Sequence, residues 1–407
     1  MTHAVPTRED GLKRLEEFLP LAGRDYAELR NHVPGVVSGL APYVRTRLLT
    51  EEEITCAVLK RHSYKAAEKF LQEVCWRTYW KGWLEMRPEV WLNYLQDLQT
   101  LRGKWDADSD ARNRLQAAER GETGLECMDA WVKELKETGY LHNHVRMWFA
   151  SIWVHTLRLP WQLGADFFMR HLLDGDPASN TLSWRWVCGL QTKGKVYQAT
   201  SENIERYTNG RHAPHGLLVT EAVQIPADHP IPNTRQLLPR EIHPQGEKTF
   251  LLVTEEDLYP ESWCIPMADV EGVILIETPY PSSDAATGIS NLVSSFRSRA
   301  LESTKLRMET SGYPSVTLLR GFMQEQRVNL RELLQTHQPA VKASITMMGT
   351  TVGTTRMMID PVLAQMKEAG ISLRRLRREW DDALWPHATH GFFRFKEQIP
   401  SVLERFS

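Results

Sequence analysis

The sequence predicts an α plus α/β protein. An all-helical domain covers residues 1–210, a linker covers 211–248, and a doubly wound parallel α/β domain covers 249–407. Three observations predict it. Eleven of the fourteen tryptophans lie between Trp76 and Trp186, which sets the first half apart in character. Up to about Thr208 the apolar residues recur at helical spacing, with almost no strand alternation. From residue 249 to 379, short apolar runs alternate with amphipathic stretches, the pattern of parallel strands joined by helical crossovers.

Composition narrows the function classes. A chain of 407 residues is long enough for two or three domains and a large core. The formal net charge of −2 excludes a globally basic nucleic-acid binder and leaves room for a local basic groove. No run approaches the roughly 18 apolar residues of a membrane span, so no membrane partner is expected. The N-terminus, MTHAVPTREDGLKRLEEF, has no apolar signal core, and a cytoplasmic location follows. Five scattered cysteines without a CxxC pair point to reduced thiols, not to a disulfide framework or a zinc or iron–sulfur site.

The helical half justifies its elements in order. Leu12, Leu15, Phe18 and Leu19 mark a first helix within 7–31. HVPGVVSGLAPYVRTRLL follows as a Gly/Pro-punctuated loop, where amides beside Ser38 and Gly39 can approach a phosphate. Thr50 with Glu53 forms a capping box. On the helix from Tyr64 to Met86, the residues Glu73, Trp76, Arg77 and Trp80 share one face. Two readings stay open there: a core ion pair, or pocket groups aimed at a polar ring system. Gly139 ends a further helix, and His142, Asn143, His144 and Arg146 follow within a turn and a half. Histidines two apart are not a helical metal pair, so no metal is expected. Arg146 enters an aromatic helix and demands an anion: Asp174, Asp176 or a ligand phosphate.

The stretch FFMRHLLDGDPASNTLSWRW, from Phe167 to Trp186, carries the densest chemistry. Its helix breaks at Asp174-Gly175-Asp176-Pro177. Asn180, Trp184 and Trp186 follow. Acids and an amide among large aromatics fit a wet pocket cut into an aromatic core; a plain helix end above core tryptophans fits equally. The Pro- and His-rich segment 211–248 has linker composition. Beyond it TFLLVT, GVILIET, SVTLLRG, ASITMMG and ISLRRLR are predicted strands. LVSSFRSRALESTKLRME, LRELLQT and DPVLAQMKEAG are predicted helices. MMGTTVGTTRMMID, with Gly349 and Gly353, offers either an anion-binding turn or an ordinary tight strand–helix turn, and the second is preferred. It matches neither GxGxxG nor a Walker loop.

Four segments, in order from residue 26 to 186, give the helical half a further meaning. They are Tyr26-x3-Arg30 with SGLAP, FLQEVCWRTYW, MDAWVKELKETGYLHNHVRM, and LLDGDPASNTLSWRW. Together they resemble the FAD-binding catalytic domain of DNA photolyases and cryptochromes. The resemblance implies an all-helical FAD-binding photolyase-type domain. Tyr26, Ser38, Gly39 and Leu40 would contact the FAD phosphates and ribose. Arg77, Asn143, Arg146, Asp174 and Asp176 would surround the flavin, with Asn180 beside its N5. Glu73, Trp76, Met147 and Trp186 would line the cavity for a flipped-out pyrimidine dimer. Trp184 and Trp161 would be the inner members of an electron-hopping chain. Glu73, Asn180, Trp184 and Trp161 are thus the implied catalytic set.

The implied function is light-driven repair of cyclobutane pyrimidine dimers in DNA by a monomeric lyase, with a cryptochrome-like photoreceptor as the alternative. No nicotinamide fingerprint supports a dark flavin oxidoreductase. Arg45, Arg47, Lys193, Lys195, Arg206 and Arg211 are candidates for a phosphate-binding rim. The α/β pattern follows the helical half, whereas the family's antenna domain precedes it. A rearranged order is therefore expected, with a second antenna chromophore of unknown identity. Other departures are His144 where the family often has Arg, Thr181-Leu182-Ser183 in place of a glycine-rich spacer, and Asp108 near the place of the third chain tryptophan, with Trp105 three residues before it.

Overall fold

The computed structural model describes residues 4–192, 194–227, 229–278, 288–320 and 344–406. Lys193 and the helix expected over residues 330–336 lie outside them. The first half is helical: α1 Arg8–Phe18, α2 Arg24–Leu29, α3 Ala41–Arg45, α4 Glu51–Leu59, α5 Tyr64–Glu85, α6 Glu89–Ala107, α7 Ser109–Arg120, α8 Glu126–Thr138, α9 Asn143–Ser151, α10 Trp161–His171, α11 Pro177–Val187 and α12 Ser201–Tyr207. A π-type turn, Ile152–Thr156, extends α9.

Local chemistry sets these boundaries. The Thr50–Glu53 capping box forms as expected, satisfying two orphan amides at the start of α4. Gly139 ends α8 at φ 67°, a left-handed conformation that glycine adopts at no steric cost. Asp176 caps α11 by accepting from the Ser179 amide, and Pro177 takes the first helical position, where no amide is needed. That cap uses one Asp176 oxygen and leaves the other for a cation.

Among the described residues, the second half forms a five-stranded parallel sheet in the order β3-β2-β1-β4-β5. Its strands are β1 Thr249–Thr254, β2 Val270–Ile276, β3 Val316–Leu319, β4 Ser344–Met348 and β5 Ser372–Leu376. Four fall within the apolar runs expected to form them, and β2 begins two residues ahead of GVILIET. β1 and β4 are buried along their whole length, which is why they appear in the sequence as continuous apolar runs rather than alternating ones. Helices α13 Asn291–Thr310 and α14 Thr354–Glu368 serve as crossovers. The order reverses between β1 and β4, so the crevice at their carboxyl ends is the topological switch point of the sheet.

The halves share one core. A single cluster of buried side chains runs from Phe149 and Trp184 through Tyr43 to Val253 and Trp380. After β5 the chain leaves the sheet through α15 Glu379–Leu384, α16 Phe392–Lys396 and α17 Ile399–Leu403 and packs against α5. Trp380 Nε1 donates to Thr78 Oγ1 at 2.8 Å, and Tyr79 donates to the His390 carbonyl at 2.7 Å. Gly82 permits this contact: a Cβ there would lie 2.8 Å from Trp385 Cδ1. The linker is pinned at points, for example by Arg235 N to the Met86 carbonyl at 2.8 Å.

Candidate functional site

A cavity of about 740 Å³ opens among α2, α5, α9 and α11. Two acids anchor its floor. Asp174 takes a two-pronged contact from Arg146, at 2.9 and 3.0 Å, and Arg146 Nε donates to the Leu141 carbonyl at 2.9 Å. Burial works against the Arg146 charge, but Asp174 outweighs it and holds the guanidinium protonated. Asp176 is almost fully buried and meets Arg77 at 3.2 Å and Lys81 at 3.7 Å. Burial alone would raise its pKa; Arg77, Lys81 and Arg45 reverse the effect and hold the carboxyl well below the usual carboxylate range.

The upper wall is aromatic and carries Glu73. Burial raises the Glu73 pKa, opposed in part by Arg30, whose Nη1 lies 2.8 Å away. Trp76 stacks face to face on Phe392 of α16, with ring centroids 3.6 Å apart and planes at 9°. Trp186 stacks on Tyr197 at 5.5 Å. Burial, with His144 and Arg146 nearby, pushes His142 down to about 4, so it is neutral at pH 7.

Most of the expected residues meet here. Tyr26, Ser38, Gly39, Glu73, Trp76, Arg77, Asn143, Arg146, Met147, Asp174, Asp176, Asn180, Trp184 and Trp186 all line the cavity. Gly39 lies at φ 66°, a turn conformation that glycine adopts without strain, and a Cβ there would meet only Arg14 Nη1, at an ordinary 3.6 Å. Asn180 is fixed by its Nδ2 donating to the Ala165 carbonyl at 2.8 Å. Leu40 is buried and lies outside the lining; only its amide takes part in the loop, bonding Ser38 Oγ at 3.3 Å.

Trp161 is also away from the cavity. It stacks on Tyr94 at 5.6 Å and lines a small pocket with Asp97, Arg185 and His229. The ring neighbours of Trp184 are Phe168 at 5.1 Å, Trp153 at 6.3 Å and Phe149 at 6.4 Å.

Two expected rim cations are corrected by the structure. Arg45 and Arg47 are buried, not displayed for phosphates. Arg45 pairs with Glu256 at 3.1 Å, and Arg47 with Asp381 at 2.6 Å. The acids at the carboxyl end of β1 draw them inward. Lys195, Arg206 and Arg211 are exposed.

The sequence reading assigned no role to Arg30, Trp80, Tyr140, His142, Ser179, Asn203 and Tyr207, all on the lining. Ser179 had a signal, since it stands at the third helical position after the Asp176 cap. Tyr207 had none, because its place depends on the chain returning past His144.

The unmet bonding on this lining tests its ligand. Arg77 Nε, His142 Nε2, Ser179 Oγ and Trp184 Nε1 are buried without a hydrogen-bond partner. Such groups are costly unless a polar ligand completes their bonds. Polar groups set around an aromatic-walled cavity fit the isoalloxazine ring and phosphates of FAD. Among the described residues no group of His, Cys, Asp and Glu could hold a metal ion. No described helix is long and apolar enough to cross a membrane.

Residues 70–217 match the family model for the FAD binding domain of DNA photolyase. The deoxyribodipyrimidine photo-lyase of Alkalihalophilus pseudofirmus is 32% identical over 197 residues, which cover 46% of this chain and 39% of that protein. A class III photolyase structure from Agrobacterium tumefaciens is 27% identical, with a TM-score of 0.43, and aligns over 50% of this chain and 43% of its own. A Synechocystis cryptochrome structure is 23% identical, with a TM-score of 0.42, over 49% and 43% of the two chains. The chain thus spans well under half the length of the relatives it matches. Residues 70–217 are thus similar to the FAD binding domain of DNA photolyase.

Proposed function

We propose that this chain is a light-driven DNA repair flavoenzyme acting on flipped-out cyclobutane pyrimidine dimers. One observation carries the reading. Glu73, Trp76, Met147 and Trp186 line the same cavity as Arg77, Asn143, Arg146, Asp174, Asp176 and Asn180. A lesion held by the first set would lie against a cofactor held by the second. Reduced FAD, when bound, supplies one electron on blue-light excitation. The chain's own residues do the rest. Arg77, Arg146 and the two acids fix the cofactor. Trp186 offers a face for stacking an extruded base. Glu73, its pKa raised by burial, stays protonated to higher pH than a free glutamate and can donate where negative charge gathers on the lesion.

A second reading, a cryptochrome-like photoreceptor without repair, has its own support. One face of Trp76 is already covered by Phe392, and Glu73 is engaged by Arg30. Lesion binding separates the two. The reduced protein should prefer dimer-containing over undamaged oligonucleotides, and Trp186→Ala should weaken that binding by about 1–3 kcal/mol. Contacts from Lys195 and Arg206 should make affinity for both DNAs fall with salt. Equal, weak affinity for damaged and undamaged DNA would favour the receptor reading.

Electron supply gives a further prediction. Trp184 borders the cavity, so Trp184→Phe should slow or abolish blue-light reduction of the bound flavin. Repair by chemically reduced protein should survive. Trp161→Phe and Trp153→Phe then identify the next carrier. A slower photoreduction in the first variant alone supports the route implied by family resemblance; in the second alone, the ring contact with Trp184. Unchanged photoreduction in Trp184→Phe would exclude Trp184 as the inner member.

A further inference from the structure

The turn after β4, Gly349 to Gly353, faces the switch-point crevice where a doubly wound sheet ordinarily takes a ligand. Here donors of two of its residues, Thr351 and Val352, are already engaged by carboxylates of the chain itself. Thr351 Oγ1 donates to Glu256 at 2.8 Å, with the Thr351 amide at 3.4 Å. The Val352 amide donates to Glu85 of α5 at 2.5 Å, and Glu85 also holds Arg356 at 2.9 Å. Gly353 packs so closely on Pro177, the first residue of α11, that a Cβ would lie 2.6 Å from Pro177 Cγ. The crevice is therefore a dock for the helical half.

One contact of this dock reaches the cavity. Glu256 Oε1 meets Arg45 Nη2 at 3.1 Å, and Arg45 Nε donates to the Gly175 carbonyl at 2.7 Å. Gly175 is the residue between Asp174 and Asp176. Arg45, Glu256 and Asp176 are all buried; Arg77, Lys81 and Arg45 converge electrostatically on Asp176, and Arg77 also approaches Glu51, which Arg47 meets at 3.5 Å. Removing the Glu256 charge would leave Arg45 with a surplus charge beside Asp176, in competition with Arg77 and Lys81 for that carboxylate.

We propose that Glu256, on the α/β half, is a positioning residue for the cofactor cavity: acting through Arg45 it fixes the Gly175 carbonyl and with it the two flanking acids. Thr351 holds Glu256 in place, so the turn after β4 sets the geometry of the flavin-facing turn in the other half. This inference rests on the FAD reading of the cavity.

The test uses the full chain. FAD is removed, its dissociation constant is measured by titration, and the melting temperature of the flavin-free protein is recorded beside it. Glu256→Gln and Arg45→Lys should weaken FAD by about ten-fold or more, and Thr351→Val by a smaller factor. The comparison variant is Glu85→Gln. It disturbs another contact between the halves, partly buried and not reaching Gly175, so it should lower the melting temperature yet leave FAD affinity within about two-fold. If Glu85→Gln weakens FAD as much as Glu256→Gln, the effect is general loosening and the relay is overturned. Unchanged FAD affinity in all variants overturns it too. Should Glu256→Gln not fold, Thr351→Val against Glu85→Gln decides by the same criterion. A wild type that takes up no FAD overturns the cofactor reading itself, a result distinct from equal binding by every variant.

Discussion

Asp176→Asn should yield a protein that is about 3–5 kcal/mol less stable and purifies without flavin. The substitution keeps size and the capping oxygen but removes the charge on which Arg77, Lys81 and Arg45 converge. Breaking a buried ion cluster by deleting one member leaves uncompensated charge in a poorly solvated place, and that range is typical. Retained cap geometry makes the loss electrostatic: the Ser179 amide can still donate to the amide oxygen of Asn. The sign with pH follows. The folded pKa of Asp176 lies below its ordinary 3.8, so its stabilisation is fully present above that ordinary value and is lost only as pH falls through the folded one. Denaturant unfolding of the flavin-free protein and the flavin-to-protein absorbance ratio are the two measurements. Stoichiometric flavin with unchanged stability would show that this cluster does not hold the cavity together.

Glu73→Ala should keep its flavin and lose most dimer splitting. Glu73 lies on the same wall as Trp76 but makes its ion pair with Arg30, away from the Asp174 and Asp176 floor, so cofactor binding should survive. Its hydrogen bond matters once negative charge develops on the lesion. A bond to a charged group is worth about 1.5–3 kcal/mol, which corresponds to roughly a ten- to hundred-fold slower bond cleavage. Glu73→Gln should fall between, since an amide donates without carrying a transferable proton. Splitting rate and lesion affinity, measured together on reduced protein, separate this from a binding defect. Equal splitting by wild type and Glu73→Ala would remove Glu73 from the chemistry.

Much of this was legible because the relevant signals are local. The Asp174-Gly175-Asp176-Pro177 break and the need of Arg146 for an anion are both written in short stretches, and the structure supplies Asp174 as that anion. β1 and β4 show as apolar runs because both of their faces are buried. What was not legible depends on partners far along the chain. Spacing placed Glu73 and Arg77 on one face, but facing the same way does not make them partners: Glu73 meets Arg30 and Arg77 meets Asp176. Arg45 and Arg47 looked like surface cations because their acids, Glu256 and Asp381, stand 211 and 334 residues away. The stacking of Phe392 on Trp76 has the same cause, a C-terminal segment returning to α5.

On the proposed function, one cavity brings a reduced flavin and a DNA lesion together for light-driven repair. The most direct measurement is the quantum yield of dimer splitting by purified, FAD-loaded and chemically reduced wild type, under blue light, on single-stranded and duplex DNA carrying one cyclobutane dimer. Splitting should require light and reduced flavin and should fall in Glu73→Ala. Flavin-replete protein that neither binds nor splits the dimer in either DNA would contradict it and leave the receptor reading in its place.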